Sequence, residues 1–309
     1  MDITVIIPVY NEEENILPLF QRLKITLEEL GLNYEILFIN DGSHDNSLEK
    51  IQELIKGGHP VNFIDFSRNF GHQIALTAGL DHAKGDAIVL MDADLQDPPE
   101  VIKDLYRKHK QGYEVVYARR RSRHGENYFK KITARWFYRL MQRITSFEIP
   151  VDTGDFRIID QKVAEIIRQM PEYSKFIRGL IAWVGFRQTY IEYDRAERKS
   201  GSTGYPFRKM VRFALDGITA FSDFPLRLAT FLGFIVSIVS FVVLLYTLYV
   251  RIIEERAIVG WTSTIASILF LGGVQLICIG IIGEYISRIN TQVRNRPLYV
   301  IREKKVSNP

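Results

Sequence analysis

The stretch Ala87-Ile-Val-Leu-Met-Asp-Ala-Asp-Leu-Gln-Asp97 joins a short apolar run to a polar turn that carries three carboxylates. Four more apolar runs lie in the first half of the chain, separated by amphipathic segments of helix length, at residues 3–9, 34–39, 61–66 and 114–117. Runs of this kind, joined by helices, are typical of the buried strands of a parallel sheet. The sequence therefore predicts an α/β domain of Rossmann-like type around a mainly parallel sheet.

Polar residues follow directly after four of these runs. They are Pro8-Val-Tyr-Asn-Glu12, Asn40-Asp-Gly-Ser43, Ser67-Arg-Asn-Phe-Gly71 and Asp92-Ala-Asp-Leu-Gln-Asp97. Ligands of open α/β sheets bind beyond the carboxyl ends of the strands, so these segments are the candidates for a site. Alternation along the chain directs Asp92 and Asp94 to the same side, and their hard oxygen atoms suit Mg²⁺ or Mn²⁺ that holds a diphosphate. The glycine motifs of dinucleotide and P-loop sites are absent from the sequence.

The composition excludes several classes of protein. Of 309 residues, 47% are hydrophobic and 25% charged, which is enough apolar surface for a folded chain. A single cysteine, Cys278, excludes an intramolecular disulfide, and the Cys and His pairs of a structural zinc site are missing. The net charge of +4 permits anionic partners without choosing among nucleic acid, phospholipid and nucleotide.

Residues 228–250 and 257–283 contain no charged side chain. Each segment is at least as long as the roughly 20 residues that cross a bilayer core. Both are therefore predicted to be transmembrane helices, and the chain is predicted to be an integral membrane protein with two spans.

Basic residues flank these spans unevenly. They are Arg198, Lys199, Arg208, Lys209, Arg212 and Arg227 before the first span, and Arg288, Arg294, Arg296, Arg302, Lys304 and Lys305 after the second. The connection between the spans carries only Arg251, Glu254, Glu255 and Arg256. Because Lys and Arg beside a span are retained in the cytoplasm, we expect the N-terminal domain and both termini on the cytoplasmic face of the inner membrane.

Four motifs in one register carry a resemblance to a known family. They are Pro8-Val-Tyr-Asn-Glu-Glu-Glu-Asn-Ile16, Asn40-Asp-Gly-Ser43 with Asp45 and Ser47, Ser67-Arg-Asn-Phe-Gly71, and Asp92-Ala-Asp-Leu-Gln-Asp-Pro-Pro-Glu100. In order and spacing the chain resembles the polyprenyl-phosphate glycosyltransferases, GT-A enzymes of glycosyltransferase family 2 that include dolichyl-phosphate mannose synthase and the bactoprenol glucosyltransferases. The C-terminal hairpin resembles that of the bactoprenol subgroup.

The resemblance implies a metal-dependent, inverting sugar transfer to a polyprenyl phosphate, with UDP as leaving group. Glucose transfer from UDP-glucose to undecaprenyl phosphate is the favoured reaction. Mannose from GDP or aminoarabinose from UDP are the alternatives, because no residue that reads the sugar can be named from one sequence. Members of the resembling family can form tetramers, so a homo-oligomer is a further expectation.

The resemblance also divides the chain and assigns its donor site. Residues 1–200 would form the GT-A domain, 201–226 an amphipathic juxtamembrane segment, 227–287 the transmembrane hairpin and 288–309 a basic cytoplasmic tail. The nucleotide pocket would be formed by Pro8, Tyr10, Glu12, Asp41 and Asp92. Asp41 would lie near the base or ribose, Asp92 beside the sugar and ribose, and Asp94 and Gln96 would ligate the Mg²⁺ or Mn²⁺ that bridges the diphosphate. Alternatively, Pro8 and Tyr10 end a strand, Asp41-Gly42 is an ordinary turn, and Asp97 caps a helix before Pro98.

A second set of residues is implied for the acceptor. In Asp152-Thr-Gly-Asp-Phe-Arg157, the resemblance puts Asp155 and Arg157 near the acceptor phosphate and the transferred sugar, so that the catalytic set is Asp92, Asp94, Asp155 and Arg157. Arg198, in a juxtamembrane loop, and Arg119 would also meet the acceptor phosphate. The alternatives are a tight turn with an incidental salt bridge at Asp155 and simple retention of basic charge beside a membrane at Arg198.

Residues 119–135 hold seven Lys or Arg against one Glu. An RNA-binding patch is one interpretation. Attraction to anionic lipid headgroups explains the charge more economically beside a membrane, so we expect a lipid bilayer as partner and no nucleic acid. The apolar residues of 176–183 and of 207–214 fit either amphipathic segments in the headgroup plane or core helices, and Lys209 and Arg212 favour the membrane for the second.

Two other functions fit the sequence less well. A processive polysaccharide synthase shares the donor-site pattern, but the Gln-x-x-Arg-Trp motif of such synthases is absent, since Ile132 stands where Gln should precede Arg135-Trp136. A membrane adaptor with an inactive transferase fold is disfavoured, because Asp92, Asp94 and Gln96 are intact.

Overall fold

The computed structural model describes residues 1–121, 153–173, 175–194, 224–252 and 260–306. These fall into two compact units, Met1–Tyr205 with Arg296–Pro309, and Pro206–Asn295. The predicted amphipathic segment at 207–214, Arg198 and most of the basic segment 119–135 lie outside the described residues.

The first unit alternates strands and helices as the apolar runs predict. Its elements are β1 (Ile3–Val9), α1 (Ile16–Glu29), β2 (Tyr34–Asn40), α2 (Ser47–Lys56), β3 (Val61–Phe66), α3 (His72–His82), β4 (Ala87–Leu90), a 3-10 turn (Pro99–Val101), α4 (Ile102–Lys110), β5 (Val115–Arg120), β6 (Thr153–Asp160), α5 (Gln161–Gln169), α6 (Ile177–Trp183), β7 (Gln188–Tyr193) and β8 (Ile301–Lys305).

The strands form one sheet in the order β7-β5-β6-β4-β1-β2-β3-β8. The central strands β4, β1, β2 and β3 are parallel, with Val5 opposite Ile36 and Val89. Strand β6 runs antiparallel between β4 and β5, and β7 is parallel to β5. Because β6 is antiparallel, its first residues lie at the same edge as the carboxyl ends of the parallel strands. This arrangement brings the first residues of β6, Thr153-Gly-Asp155, to the predicted site.

The core explains why these runs are strands. Every residue of β1 and β3 is buried, as expected for strands covered on both faces. Helix α1 buries Ile16, Leu19, Leu23 and Leu27 against one face of the sheet, at the spacing of an amphipathic helix. The prediction of an α/β domain is confirmed.

Helix α6 settles one open interpretation. Ile177, Leu180 and Ile181 are buried, and the helix packs against α3 and α5. Trp183 ends the helix with 56% of its surface exposed. Residues 177–182 therefore belong to the core of the domain, which was the alternative to an interfacial segment.

Strand β8 was not foreseen. Residues 288–309 are predicted to form a basic tail, whereas Ile301–Lys305 pairs antiparallel with β3 and extends the sheet. Its sequence, Ile-Arg-Glu-Lys-Lys, has one apolar residue and carries no strand pattern. A charged strand at a sheet edge needs no buried face, and its charges discourage further pairing.

The second unit contains two long apolar helices, α7 (Phe224–Ile252) and α8 (Trp261–Val293). Each includes a stretch long and apolar enough to cross a membrane, Pro225–Val243 and Phe270–Val293. Large apolar side chains are exposed along both, among them Phe231, Phe234, Leu276 and Ile277. Such a surface suits lipid rather than water as the surrounding solvent.

Candidate active site at the carboxyl ends of the strands

A cleft of about 520 Å³ opens at the carboxyl ends of β1, β2, β3 and β4. It is lined by Pro8, Val9, Tyr10, Glu12, Asp41, Asn69, Gly71, His72, Asp92, Ala93, Asp94 and Asp155. The polar segments that follow the predicted strands thus meet at one place. Its size is within the range of small-molecule sites.

The turn after β1 is held by the turn after β2. The backbone N–H groups of Asn11, Glu12 and Glu13 donate to Ser43 Oγ, Ser47 Oγ and Asp45 Oδ2, each at 3.0 Å. The His44 and Asn46 N–H groups donate back to Asn11 Oδ1 and Glu13 Oε2, at 2.8 and 2.9 Å. Ser43, Asp45 and Ser47 therefore shape one wall of the cleft through backbone contacts.

Asp41 supports a second wall. Its Oδ1 accepts from the Phe70 N–H at 2.6 Å and its Oδ2 from the Gly71 N–H at 2.9 Å. Burial raises the pKa of Asp41, and these two N–H groups oppose the rise. The next residue, Gly42, has φ +68°, and a Cβ there would lie 2.5 Å from the carbonyl carbon of Arg68. The turn after β2 therefore requires glycine in order to lie against the turn after β3.

An acidic centre lies at the end of β4. His72 Nε2 lies 3.1 Å from Asp155 Oδ2 and 3.5 Å from Asp92 Oδ1. Burial alone would lower the pKa of His72, but the two carboxylates outweigh it and raise the pKa. Burial raises the pKa of Asp92 to about 6, and the nearby Asp155, Asp97 and Asp94 add to the rise while His72 opposes it. The centre thus brings two carboxylates and one imidazole together at the end of β4.

Asp155 is held from below by Arg178 of α6. The Nε and Nη2 atoms of Arg178 donate to Asp155 Oδ1 and Oδ2 at 2.7 and 2.9 Å. Burial would raise the pKa of Asp155, but Arg178 and His72 hold it well below its usual range. Asp155 is therefore an ionised carboxylate of fixed orientation.

Asp94 and Gln96 lie on one tight turn but differ in exposure. Asp94 lines the cleft, and its Oδ1 accepts from the Gln96 N–H at 3.1 Å. Leu95 between them has φ +58°, a conformation that costs free energy in a non-glycine residue. The Gln96 residue is only 8% exposed. That these two residues are the metal ligands stays a prediction.

The centre fits a divalent cation. The ligand atoms of His72, Asp92 and Asp155 lie within 4.8 Å of one another, an arrangement able to hold a metal ion. Asp92 Oδ1 is buried without a hydrogen-bond partner among the described residues, and hard carboxylate oxygens suit Mg²⁺ or Mn²⁺. Asp155 is already paired with Arg178, so Asp92 and the neighbouring Asp94 are the better candidates as ligands.

The arginines at the end of β5 point to opposite sides. Arg119 donates to Glu192 and lies over the Tyr190 ring, 3.8 Å from its centre. Arg120 faces the centre: its Nε donates to Tyr193 Oη at 3.4 Å, and a Cβ on Gly154 would lie 3.0 Å from its Nη2. Burial would lower the pKa of Arg120, but its bond with Tyr193 and the charges of Asp97 and Asp92 raise it. The predicted role of Arg119 at the acceptor phosphate is untested, and this geometry favours Arg120.

Among the described residues, Arg157 is a further predicted site residue that does not line the cleft. Arg157 is fully buried; it donates to the carbonyls of Asp155 at 3.2 Å and of Gly154 at 2.6 Å, so it supports the backbone at the start of β6. Its contact with the acceptor stays a prediction. Arg198 lies outside the described residues. Asp97 accepts from the Tyr193 hydroxyl, and the 3-10 turn that follows it has no side-chain cap.

The family description Glycosyl transferase family 2 matches residues 4–167, more than half of the chain and all the segments that line the cleft. The chain belongs to glycosyltransferase family 2. The GtrB C-terminal hairpin matches residues 224–289, so the second unit of this glycosyltransferase is a hairpin of that type. The predictions of family, GT-A fold and enzyme class are confirmed.

Individual relatives match this glycosyltransferase over nearly all of these 309 residues. It is 49% identical over 300 residues to the uncharacterized glycosyltransferase YkcC of Bacillus subtilis, covering 97% of this chain and 93% of that protein. It is 44% identical over 306 residues to a prophage bactoprenol glucosyl transferase homolog of Escherichia coli, covering 99% and 100%. Among solved structures, glucosyl-3-phosphoglycerate synthase of Mycobacterium tuberculosis, in complex with Mn²⁺, UDP-glucose and phosphoglyceric acid, is 18% identical with a TM-score of 0.46, covering 70% of this chain and 77% of that one.

His72 and Arg178 were not predicted as site residues, and Arg119 rather than Arg120 was the arginine singled out at the end of β5. His72 directly follows the Ser67–Gly71 motif, and its position at the start of α3 was the available signal. Arg120 follows Arg119, and the alternation of a strand would have separated the two. Arg178 stands among the apolar residues of α6, and its pairing with Asp155 joins distant parts of the chain.

Proposed function

We propose that this glycosyltransferase transfers glucose from UDP-glucose to a polyprenyl phosphate at the cytoplasmic face of a membrane, with inversion at the anomeric carbon. The observation that carries the proposal is the near full-length match to a protein named as a bactoprenol glucosyl transferase homolog, hairpin included. The cleft supports it independently, because one end is suited to a nucleoside and the other to charged phosphates.

The nucleoside would lie between the turns after β1 and β2. Tyr10 is 44% exposed beside the cleft, with an aromatic face on which a base can stack. Asp41 and Glu12 line the same end and offer carboxylate oxygens to donors of a base or ribose. Asn69 and Gly71 line the cleft from the turn after β3.

The diphosphate would lie over the acidic centre. Asp92 and Asp94 are the residues to hold a divalent cation, which when bound offsets the negative charge that develops on the departing diphosphate. Arg120 supplies a positive charge near the same centre. Asp155, kept ionised by Arg178 and His72, would orient sugar hydroxyl groups by accepting their hydrogen bonds.

The reaction needs little acid–base chemistry from the protein. A phosphate monoester has a second pKa near 6, so its oxygen is already largely ionised at neutral pH. That oxygen forms a bond to the anomeric carbon while the bond from this carbon to the diphosphate oxygen breaks, and its electron pair leaves with UDP. The protein's main task is to hold two anions together in the orientation for attack.

The membrane supplies the acceptor. The apolar surfaces of α7 and α8 support insertion, and the basic residues on both flanks support a cytoplasmic active site. Arg198 and the basic segment 119–135 are the candidates for contact with lipid phosphates. Assembly into a tetramer stays a prediction.

The test is a transfer assay with the purified full chain in detergent, Mg²⁺ and undecaprenyl phosphate. Radiolabelled UDP-glucose, GDP-mannose and UDP-aminoarabinose are offered separately, and label is counted in the organic phase. We expect lipid-soluble label from UDP-glucose that depends on the acceptor, and NMR of the product should show the inverted anomer. If only GDP-mannose or UDP-aminoarabinose gives lipid-soluble label, the assignment of glucose is wrong. If free glucose is the sole product, the assignment of a polyprenyl phosphate as acceptor is wrong.

A further inference from the structure

The C-terminal segment contacts the turn that carries one wall of the donor cleft. The turn is Ser67–Gly71, between β3 and α3, and the segment is residues 299–305, which includes β8. The Ser67 N–H donates to the Val300 carbonyl at 2.9 Å, so the two are joined by backbone where β3 ends. Two side chains of the segment extend this contact.

Tyr299 contributes an aromatic contact. Its ring stacks on Phe66, with centroids 5.1 Å apart and an angle of 20° between the planes. Phe66 in turn meets the Phe70 ring edge-on at 5.6 Å. The Tyr299 hydroxyl donates to Asp81 Oδ2 of α3 at 3.0 Å. One residue of the segment thus connects the end of β3, the turn and the helix behind it.

Arg302 contributes polar contacts. Its Nη2 donates to the Ser67 carbonyl at 2.9 Å, and its Nη1 lies 3.5 Å from Asp65 Oδ2. Asp65 is fully buried, and its other oxygen accepts from Asn40 Nδ2 at 2.7 Å. Arg302 therefore pairs with the buried carboxylate of Asp65. It also holds Ser67, the first residue of the turn.

The same turn reaches the cleft at its other end. The Phe70 and Gly71 N–H groups bond to Asp41, and Asn69 and Gly71 line the cleft. The turn is therefore held by Asp41 from inside the cleft and by Tyr299 and Arg302 from outside. Loss of either set would free a cleft wall to move.

We propose that Tyr299 and Arg302 are positioning residues for donor binding: the C-terminal segment holds the turn Ser67–Gly71 in the conformation that accepts the nucleotide. The inference rests on the proposed function for the identity of the ligand. The fixed conformation of the turn is a separate physical claim that can be measured without any ligand.

The experiment compares Arg302→Ala and Tyr299→Ala with wild type and with Lys305→Ala, an exposed residue of the same strand. Hydrogen exchange of the full chain in detergent, without nucleotide, is followed for peptides covering 67–76 and, as internal reference, for those covering α4. Calorimetry then measures UDP binding. We expect both test variants to exchange faster at 67–76 and to bind UDP about two- to tenfold more weakly, the range for losing one hydrogen bond. Lys305→Ala should match wild type.

A double variant separates positioning from stability. In Arg302→Ala the buried Asp65 loses its counter-charge, which lowers the melting temperature for a reason unrelated to the turn. Asp65→Asn in the same chain removes that charge and keeps an acceptor for Asn40. We expect the melting temperature of Arg302→Ala/Asp65→Asn to recover. Hydrogen exchange at 67–76 should stay fast and UDP binding should stay weak, because the Ser67 carbonyl still lacks the hydrogen bond from Arg302.

Three outcomes would overturn the inference: unchanged exchange at 67–76 in Arg302→Ala, unchanged UDP affinity despite faster exchange, or full recovery of UDP affinity with stability in the double variant. If wild type binds no UDP at all, the proposed donor is wrong. The exchange comparison then still decides whether the segment holds the turn.

Discussion

Arg178 and Asp155 form a two-bonded ion pair beneath the cleft, with Nε to Oδ1 at 2.7 Å and Nη2 to Oδ2 at 2.9 Å. The carboxylate is buried, whereas 30% of the Arg178 side chain is exposed. His72 contacts the same carboxylate from the side of Asp92. The pair thus fixes the one carboxylate of the centre that comes from β6.

We expect Arg178→Ala to lower kcat at least tenfold, because a carboxylate that loses a charge-assisted pair of hydrogen bonds becomes mobile and its pKa rises. Arg178→Lys keeps the positive charge but cannot donate two parallel hydrogen bonds, so its kcat should lie between those of wild type and Arg178→Ala. Transfer kinetics at saturating donor measure the effect. In a cycle with Asp155→Asn the two losses should not add, since both remove the same oriented carboxylate. Fully additive losses would show that Arg178 acts elsewhere.

The two arginines at the end of β5 should differ in function. Arg120→Ala should lower kcat/KM by at least tenfold, because Arg120 lies near the charges of Asp92 and Asp97 at the centre. Arg119→Ala should stay within about threefold of wild type, because Arg119 is engaged with Glu192 and Tyr190 on the other side of the strand and surface pairs contribute little. The test is to measure kcat/KM for both variants under identical conditions. The reverse ranking would support the prediction that Arg119 contacts the acceptor phosphate.

The close approach at Gly42 can be separated from its backbone conformation. Gly42 and Gly58 both have positive φ, +68° and +75°, but a Cβ at Gly58 would meet nothing within 4 Å. Gly58→Ala should therefore lose about 1–2 kcal/mol of stability through the left-handed conformation alone and bind UDP normally. Gly42→Ala should lose more and bind UDP more weakly, since the turn at Arg68 must move. Thermal unfolding and calorimetry of both variants test this, and equal effects would contradict the role of the contact.

The central sheet could be predicted because its strands are buried on both faces. The runs at 3–9 and 61–66 coincide with β1 and β3, since continuous apolar residues leave few other structures available. Strand β8 could not be predicted, because an exposed edge strand of charged residues has no pattern to read. Strand β6 begins with the polar residues Thr153-Gly-Asp155, which belong to the site, so no apolar run marks where it starts.

The cleft was predicted better than the contacts within it. The segments that line it follow strand ends, and the topology of a parallel sheet brings such segments together. The supports behind them depend on long-range pairs such as Arg178 with Asp155 and Arg302 with Ser67, which only the folded chain reveals. The burial of Arg157 could not be predicted either, because a charged residue in a polar motif is expected to be exposed, whereas this one is fully buried.

Membrane topology is tested by cysteine labelling. The single native cysteine is first replaced by Cys278→Ala, and then Gly260→Cys or Ser307→Cys is introduced. An impermeant thiol reagent added to intact cells should label the chain at 260, in the connection between the helices, and should not label it at 307. Labelling after permeabilisation confirms that both sites are reactive. The reverse pattern would contradict the charge argument and would put the active site away from cytoplasmic nucleotide sugars.

The role of Asp94 is tested by removing its charge while keeping its shape. Asp94→Asn retains an oxygen that accepts from the Gln96 N–H, so the turn and the melting temperature should be preserved. A neutral amide is a poorer ligand for a hard cation, and transfer should fall by roughly 100-fold or more, the order expected when one group that stabilises transition-state charge is removed. Because the defect is in cation binding, activity should recover in part as Mg²⁺ is raised.

Asp104→Asn is the matched control, since Asp104 is an exposed carboxylate on α4 paired with Arg107. It undergoes the same chemical change away from the cleft and should keep wild-type turnover and the wild-type dependence on Mg²⁺. Transfer assays over a range of Mg²⁺ concentrations compare the three proteins. Near-normal turnover of Asp94→Asn at limiting Mg²⁺ would remove Asp94 from the ligand set and leave the cation to His72, Asp92 and Asp155. An equal loss at every Mg²⁺ concentration would instead assign Asp94 to contact with the substrate.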